Sequence, residues 1–382
     1  MTNLNKHWMF DEVLKWRFVS SSFWSALSGF AVSFLLLFLR KIDTLNPLMH
    51  VFGSLASVFS ARFIIVSLFF SLHAVLLSFY HLFAQNPGKK RKTFLLGMIS
   101  EAFKYENINK SLLEALLGSS FMFLTFSFSS SSYSSLFLEG RWSLNEKHVI
   151  GLSYGFILGF FMSVTRNSYG GSGPLMTSQS AFIQRIKHQL KGLLFDSFKE
   201  NYNFLFCFLP SYYLVGQYFF KLVAQSILML PNYYQPALSP WKPLQLFMLL
   251  WALVVGGSLY IFTSKTVNLL VNLSMSRNHK FQIQTAFDDK QKMLVTSNMG
   301  KSNPKLVQQI AFSSLSQMVA NSQQCRKQIF EGASPNQGAF KVVAEECLGH
   351  VMNFNKVIGE CCSQISSGSM FKKPKENKKV GL

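Results

Sequence analysis

The sequence predicts an all-α protein, in which a six-helix polytopic membrane domain is followed by a small α-helical cytosolic domain. Only 14% of the 382 residues are charged, whereas a soluble globular chain carries about 25%. Long apolar runs recur as far as residue 262, and the run 244–262 contains no charge and is long enough to cross a bilayer. The remainder is polar, with apolar residues at helical spacing. The run 244–262 is therefore expected to be the last span, around which the chain is organised.

The predicted domain organisation has four parts. Residues 1–17 form a cytosolic N-terminal segment, 18–262 the transmembrane domain, 263–368 an α-helical cytosolic or pore-facing domain, and 369–382 a basic disordered tail. The helix of the last span is expected to continue beyond the membrane. The six spans are predicted at 18–39, 63–83, 112–128, 149–164, 203–220 and 244–262.

The charge distribution predicts the orientation of the chain in its membrane. The net charge is +20, from 37 Lys and Arg against 17 Asp and Glu. Most of these cations lie in the N-terminal segment, in the loops 84–111 and 165–201 and beyond residue 262, whereas the alternate loops hold few. The positive-inside rule then places both termini on the cytosolic side. The 5 cysteines, an odd number without a CxxC spacing, favour reduced thiols over a disulfide framework.

Three ionisable residues lie inside the predicted spans and are the first candidates for a chemical role. His73 and His81 are eight residues apart, so they share one side of a helix, and a metal-binding pair is one interpretation. The other is that His81, near the end of its span, reaches the headgroups. Glu114 lies near the cytosolic end of its span and is expected to stay hydrated. No constellation typical of catalysis, of a metal or of a cofactor is present, which predicts a protein that is not an enzyme.

Glycine and proline mark two further features of the spans. Gly151, Gly155 and Gly159 form a small-residue stripe, for which packing within one bundle is favoured over dimerisation. Pro210 removes an amide donor inside the fifth predicted span and is expected to kink it.

A basic amphipathic helix is predicted at 181–200, immediately before the fifth span. Its apolar residues recur at steps of three and four, and cations flank them, which is typical of a helix that lies in the membrane interface and contacts lipid. The alternative is that the apolar stripe packs on the soluble domain. The predicted membrane-binding residues are Phe182, Arg185, Ile186, Lys187, Leu190, Lys191, Leu193, Leu194 and Phe198.

The polar part of the chain predicts two helices. One begins after Pro304, since proline is favoured in the first turn of a helix. The second is expected at 340–365, where apolar residues recur at helical spacing through Val343, Cys347 and Val351.

The order and spacing of several short motifs resemble the transmembrane nucleoporins of the nuclear-division-cycle family, which anchor the nuclear pore complex in the pore membrane. The motifs run along most of the chain and accompany the six predicted spans and the helical tail. They are Trp16 and Arg17, Ile42 and Asp43, Asn46 and Pro47, Ser153 to Gly155, Ser302 to Pro304, Ile310 and Ala311, Leu315, Gln328 to Phe330, Gly338, and Glu346 and Cys347.

This resemblance implies a membrane scaffold at the nuclear envelope that supports pore assembly and docks other nucleoporins through its tail. Family partners are linker nucleoporins and, in animals, a WD-repeat pore protein; homo-oligomerisation stays open. The candidate partner-binding residues are Leu306, Ile310, Leu315, Ile329 and Phe330. No motif indicates specific nucleic-acid binding. The alternatives are a transporter or channel of the endoplasmic reticulum or nuclear envelope and, with less support from the residues, a lipid-modifying membrane enzyme.

Overall fold

The structure is a computed structural model that describes residues 15–40, 47–84, 104–128, 145–168, 182–216, 243–275, 305–324 and 339–366, with isolated positions at 13, 218, 326 and 327. Helix is the regular structure of these residues, which confirms the all-α class that the sequence predicts. The chain divides into two compact units, one formed by residues 14–276 and one that includes 277–382.

Nine α-helices are present in the described ranges. They are α1 (Lys15–Arg40), α2 (Pro47–Val58), α3 (Ala61–Ala84), α4 (Tyr105–Phe128), α5 (Glu146–Ser168), α6 (Phe182–Ser211), α7 (Pro243–Met275), α8 (Lys305–Asn321) and α9 (Ala339–Ser366). A short π-helical turn, Tyr212–Gly216, follows α6.

Helix α7 occupies the centre of the first unit and contacts α1, α3, α4, α5 and α6. Every residue from 255 to 264 is buried. A helix that is covered on all sides is expected to be largely apolar, and this stretch contains no charged residue. Gly256 and Gly257 leave room for Met122 and Asn201 of the neighbouring helices. As expected, the helix continues past residue 262 and ends at Met275.

Helices α1 and α7 run antiparallel and are joined at both ends. The guanidinium of Arg17 donates to the carbonyl oxygen of Met275 at 3.1 Å. At the opposite end, the indole of Trp251 donates to the carbonyl oxygen of Leu39, also at 3.1 Å. The first residues of α1 and the last residues of α7 therefore lie at the same end of the bundle.

Glycine brings α4 and α5 into backbone contact. A Cβ atom on Gly118 would overlap the carbonyl oxygen of Gly155, and one on Gly155 would overlap that of Gly118. A Cβ on Gly159 would meet the carbonyl oxygen of Glu114. The glycine stripe thus packs within one bundle, as the sequence analysis favoured.

The amphipathic segment and the fifth predicted span are one continuous helix, α6, rather than two elements. Its 30 residues extend about 45 Å, which is longer than the hydrocarbon core of a bilayer. Pro210 lies in its last turn, and the π-helical turn follows directly. Because proline cannot donate to the preceding turn, the regular helix is interrupted where the sequence predicts a kink.

Large apolar side chains cover the outside of the first unit. Phe23, Leu68 and Phe206 are 67%, 65% and 74% exposed, and similar side chains continue along α3 and α6. Such a continuous apolar surface is unfavourable in water and suits a hydrocarbon environment. Five helices of the described residues are long and apolar enough to cross a membrane, and they coincide with all the predicted spans except the fifth. The region 203–220, which includes part of α6, is not among them.

The two helices predicted after the last span are confirmed. Helix α8 begins directly after Pro304, and α9 covers the predicted region 340–365.

Candidate functional site

An ion pair between Glu114 of α4 and Arg166 of α5 forms the centre of a buried polar cluster. The guanidinium donates one hydrogen bond to each carboxylate oxygen, at 2.7 Å to Oε1 and 3.1 Å to Oε2. The side chain of Glu114 is 0% exposed and that of Arg166 is 22% exposed. Two parallel hydrogen bonds between a planar guanidinium and a carboxylate are strong and fix the relative orientation of the groups.

Helix α3 contributes two residues to this cluster. The hydroxyl of Tyr80 donates to Glu114 Oε2 at 2.7 Å and lies 3.1 Å from the hydroxyl of Ser163. The imidazole Nδ1 of His81 lies 3.2 Å from Arg166 Nη1. The buried carboxylate therefore receives hydrogen bonds from two helices, and the guanidinium is held from two sides.

The central helix α7 completes the cluster. The hydroxyl of Ser264 lies 3.3 Å from His81 Nε2 and accepts a hydrogen bond from Arg166 Nη2 at 3.3 Å. The hydroxyl of Tyr260 donates to the backbone carbonyl oxygen of Glu114 at 3.2 Å. Four helices thus converge on one ion pair. We call these residues the polar clamp: Tyr80, His81, Glu114, Ser163, Arg166, Tyr260 and Ser264.

The chemistry of the polar clamp is structural. The Glu114 carboxylate and all four terminal N–H groups of the Arg166 guanidinium are directed at protein atoms. Within the described residues, no group of three or more His, Cys, Asp and Glu side chains is arranged to hold a metal ion. A satisfied buried network of this kind joins helices and specifies one packing arrangement.

The structure corrects two expectations about single residues in the spans. Glu114 is not hydrated, because it lies fully inside the bundle against Arg166. His81 does not reach the headgroups, since it is 2% exposed and belongs to the polar clamp. His73 has separate surroundings: its Nδ1 lies 3.3 Å from the hydroxyl of Ser120, and its ring packs edge-on against Phe121. The two histidines therefore do not form a metal-binding pair.

Sequence reasoning missed the pairing of Glu114 with Arg166, although a signal was present. Consecutive spans run antiparallel, so a residue near the start of one lies level with a residue near the end of the next. Glu114 lies in the first half of α4 and Arg166 near the end of α5. Opposite charges at matching depths in adjacent spans are therefore a specific indication of a buried ion pair.

A second polar contact attaches α6 to the bundle. The amide of Asn201 accepts a short hydrogen bond from the hydroxyl of Tyr154, and its nitrogen donates to the carbonyl oxygen of Val254 at 2.9 Å. Asn201 is 0% exposed, and its oxygen occupies the space that a side chain at Gly257 would fill. One amide therefore joins α6 to both α5 and α7.

The predicted membrane-binding residues lie in the N-terminal half of α6. Ile186, Leu193 and Phe198 are half-buried, while Leu190 and Leu194 are each 37% exposed. The cations Lys187 and Lys191 are exposed. The side chains of Phe182 and Arg185 lie outside those that the structure describes.

The apolar stripe of this half of α6 lies in line with the bundle-facing side of the other half. Ile186, Leu190, Leu194, Ser197 and Asn201 follow one another at steps of three and four, and the last two are fully buried. The stripe is therefore buried against the bundle at its C-terminal end and becomes more exposed towards its N-terminal end, so it does not face lipid along its whole length.

The predicted partner-binding residues are described only in part. The residues that α8 buries are Val307, Ala311 and Ser314, and Leu315 beside them is half-buried. The side chains of Leu306 and Ile310 are not among those described, and Ile329 and Phe330 lie outside the described ranges. The apolar face of α9 is exposed, which its sequence alone does not predict, with Val351 at 55% and Phe354 at 64%.

These features define a polytopic α-helical membrane protein. Its first unit is a bundle of long helices with an apolar exterior and a buried ion pair, and a second unit contains the helices that follow in the chain. The family whose description is "Nucleoporin protein Ndc1-Nup" matches residues 12–380, and the chain belongs to this family. The family is one of structural nucleoporins rather than enzymes, so the resemblance noted in the sequence is confirmed. Comparison with individual curated proteins gave no match.

Proposed function

We propose that this nucleoporin anchors the nuclear pore complex in the pore membrane, supports its assembly and docks soluble nucleoporins through residues that follow α7. The observation that carries the proposal is the family match over residues 12–380, in a chain whose first unit presents a continuous apolar exterior. The polar clamp suits this role, because an anchor needs a bundle that holds one arrangement under load.

The proposed orientation places both termini on the cytosolic, pore-facing side. The positive-inside distribution of Lys and Arg supports it. The hydrogen bond between Arg17 and Met275 supports it independently, because it brings the start of α1 and the end of α7 to one end of the bundle. The segments before α1 and after α7 then leave the membrane on the same side.

We assign lipid contact to the N-terminal half of α6. In the proposed orientation, this half emerges on the cytosolic side, where its exposed cations meet anionic headgroups and its partly exposed leucines meet the interface. The test replaces Leu190 and Leu194 by Asp in the tagged full chain and measures its accumulation at the nuclear rim, which should fall.

A matched control for this test adds the same charge elsewhere on the helix. Gln184→Asp with Gln189→Asp adds two negative charges at exposed positions without removing apolar surface, and it should preserve the rim signal. Equal accumulation of the two double variants at the nuclear rim would contradict the assignment of lipid contact to α6.

The docking role is assigned to the predicted residues Leu306, Ile310, Leu315, Ile329 and Phe330, with linker nucleoporins and a WD-repeat pore protein as partners. Apolar side chains in a polar part of the chain are residues of the kind that soluble partners use as anchor points. Membrane retention is a separate property, because it depends on the first unit.

The experiment that tests the proposal is affinity capture of the full chain from solubilised nuclear envelopes. The wild-type chain should recover soluble nucleoporins, and Leu306→Asp with Leu315→Asp should lose them while the chain stays in the membrane fraction. The control is Ser316→Asp with Ala320→Asp, at two exposed positions of α8. A wild-type chain that recovers no nucleoporin would contradict the proposal, and an unchanged set with the first variant would contradict the assigned surface.

A further inference from the structure

Helix α9 carries the spacing of a coiled-coil seam. Ala344, Cys347, Val351, Phe354 and Ile358 follow one another at steps of three, four, three and four residues. Steps of this kind assign Ala344, Val351 and Ile358 to heptad position a, and Cys347 and Phe354 to position d. The helix has 28 residues and is about 42 Å long, so it accommodates several heptads.

This seam is uncovered from Cys347 to Ile358, and Ala344 is half-buried. Val351, Phe354 and Ile358 are 55%, 64% and 43% exposed, and the thiol of Cys347 is exposed and free. These residues belong to the unit that includes residues 277–382, which is the polar part of the chain. Apolar side chains of that unit that contact water are energetically unfavourable. An apolar helix face of this length indicates an interaction with another helix.

The flanks of the seam are compatible with a second copy of the same helix. In this register, positions e and g of α9 contain one charged residue, Lys341 in the first turn, and those between residues 343 and 364 contain no Asp, Glu, Lys or Arg. In a parallel pair these positions face each other, and like charges there would repel identical chains. The charged residues Glu345, Glu346, Lys356 and Glu360 occupy the b, c and f positions, which point away from a partner.

We propose that α9 forms a parallel, in-register coiled coil with α9 of a second copy of this chain. The β-branched side chains of Val351 and Ile358 at position a are compatible with the packing of a parallel two-stranded coiled coil. Two chains anchored in one membrane also meet at a high effective concentration, so a seam of modest affinity suffices. The inference is independent of the proposed docking residues and requires only that both copies share a membrane.

The test uses the position of the native thiol. In a parallel, in-register pair, the Cys347 residues of the two copies face each other across the seam, within the separation of about 4.4–6.8 Å between Cα atoms that a disulfide needs. The full chain is expressed with its other four cysteines replaced by Ser, and isolated membranes are treated with copper phenanthroline. A disulfide-linked dimer should form and should disappear on reduction.

The control thiol lies outside the seam but is more accessible. Met352 occupies position b and is 68% exposed. Cys347→Ser with Met352→Cys therefore presents a more exposed thiol that points away from the partner. Its cross-linking should be lower by about tenfold or more, because geometry rather than exposure limits disulfide formation. Equal cross-linking of the two thiols would contradict the proposal, as would the absence of a dimer through Cys347.

A second experiment removes the seam. Val351→Asp with Ile358→Asp should abolish both the Cys347 cross-link and the co-capture of two differently tagged full chains, because carboxylates in an apolar interface are strongly unfavourable. Met352→Asp with Asn353→Asp adds the same charge at positions b and c and should preserve both. Copies that remain associated in the first variant would overturn the proposal. Wild-type copies that are monomeric, with α9 covered by a different protein, would overturn it as well.

Discussion

Replacing Arg166 by Met tests whether the polar clamp holds the bundle together. The substitution removes the cation and two hydrogen bonds from Glu114, while the carboxylate stays at a site that is 0% exposed. Of the contacts to the carboxylate, the hydrogen bond from Tyr80 at 2.7 Å and the longer contact from Ser264 at 3.5 Å remain. Removing one partner of a buried ion pair costs about 3–5 kcal/mol, because an uncompensated buried charge is left behind.

The companion variants give a definite order of stability. Glu114→Gln should cost less than Arg166→Met, because the Arg166 side chain is 22% exposed and its charge keeps partial contact with its surroundings. The double variant Glu114→Met with Arg166→Met should recover much of the loss, since replacing both members of a buried pair by apolar residues is close to neutral in other proteins.

The assay is thermal unfolding of the purified full chain in lipid nanodiscs, followed by tryptophan fluorescence. Lys265→Met is the control, because it breaks the ion pair of Lys265 with Glu200, whose side chains are 21% and 48% exposed, and an exposed pair contributes at most about 1 kcal/mol. Arg166→Met should lower the melting temperature much more than Lys265→Met. Equal effects of the two substitutions, or a double variant less stable than Arg166→Met, would refute the reasoning.

Two further predictions concern the packing of the spans. Gly155→Val should disrupt the contact between α4 and α5, because the valine side chain would overlap the backbone of Gly118. Gly192→Val is the control and should leave the chain monodisperse, since nothing lies within 4 Å of a Cβ at that position. Size-exclusion chromatography distinguishes the two variants. Asn201→Leu should cost about 1–3 kcal/mol by leaving the buried hydroxyl of Tyr154 unsatisfied. A double-mutant cycle with Tyr154→Phe in nanodiscs should show coupling, and additive effects would contradict the assignment.

Five of the six predicted spans coincide with helices that are long and apolar enough to cross a membrane, and they were predictable because the hydropathy of a segment is a local property of the sequence. A run such as 244–262 needs no information about its neighbours to be recognised as apolar. Its central position in the bundle was not predictable, because an apolar helix is covered equally well by lipid and by other helices. The packing role of the glycine stripe of α5 was predictable from the sequence, because two helices approach closely only where residues lack a side chain.

The polar clamp was not predictable from single spans. Whether Glu114 is hydrated or paired depends on which helices are its neighbours and at what depth, and this is tertiary information. The continuity of α6 was missed for a different reason. Predicted spans are bounded by charged residues, and the charges of α6 therefore separated its N-terminal half from the fifth predicted span. A helix continues through charged residues as readily as through apolar ones, so both segments belong to one helix. The exposure of the α9 face likewise depends on what the rest of its unit covers.

The most direct test of the central claim is imaging of the tagged full chain in living cells beside a marker of the nuclear pore. A membrane nucleoporin should give a punctate signal at the nuclear rim that coincides with the marker, and in a parallel fractionation it should stay in the membrane pellet when isolated nuclear envelopes are extracted with carbonate. A diffuse signal in the reticulum or the plasma membrane, without coincidence with pores, would contradict its role as the membrane anchor of the pore complex.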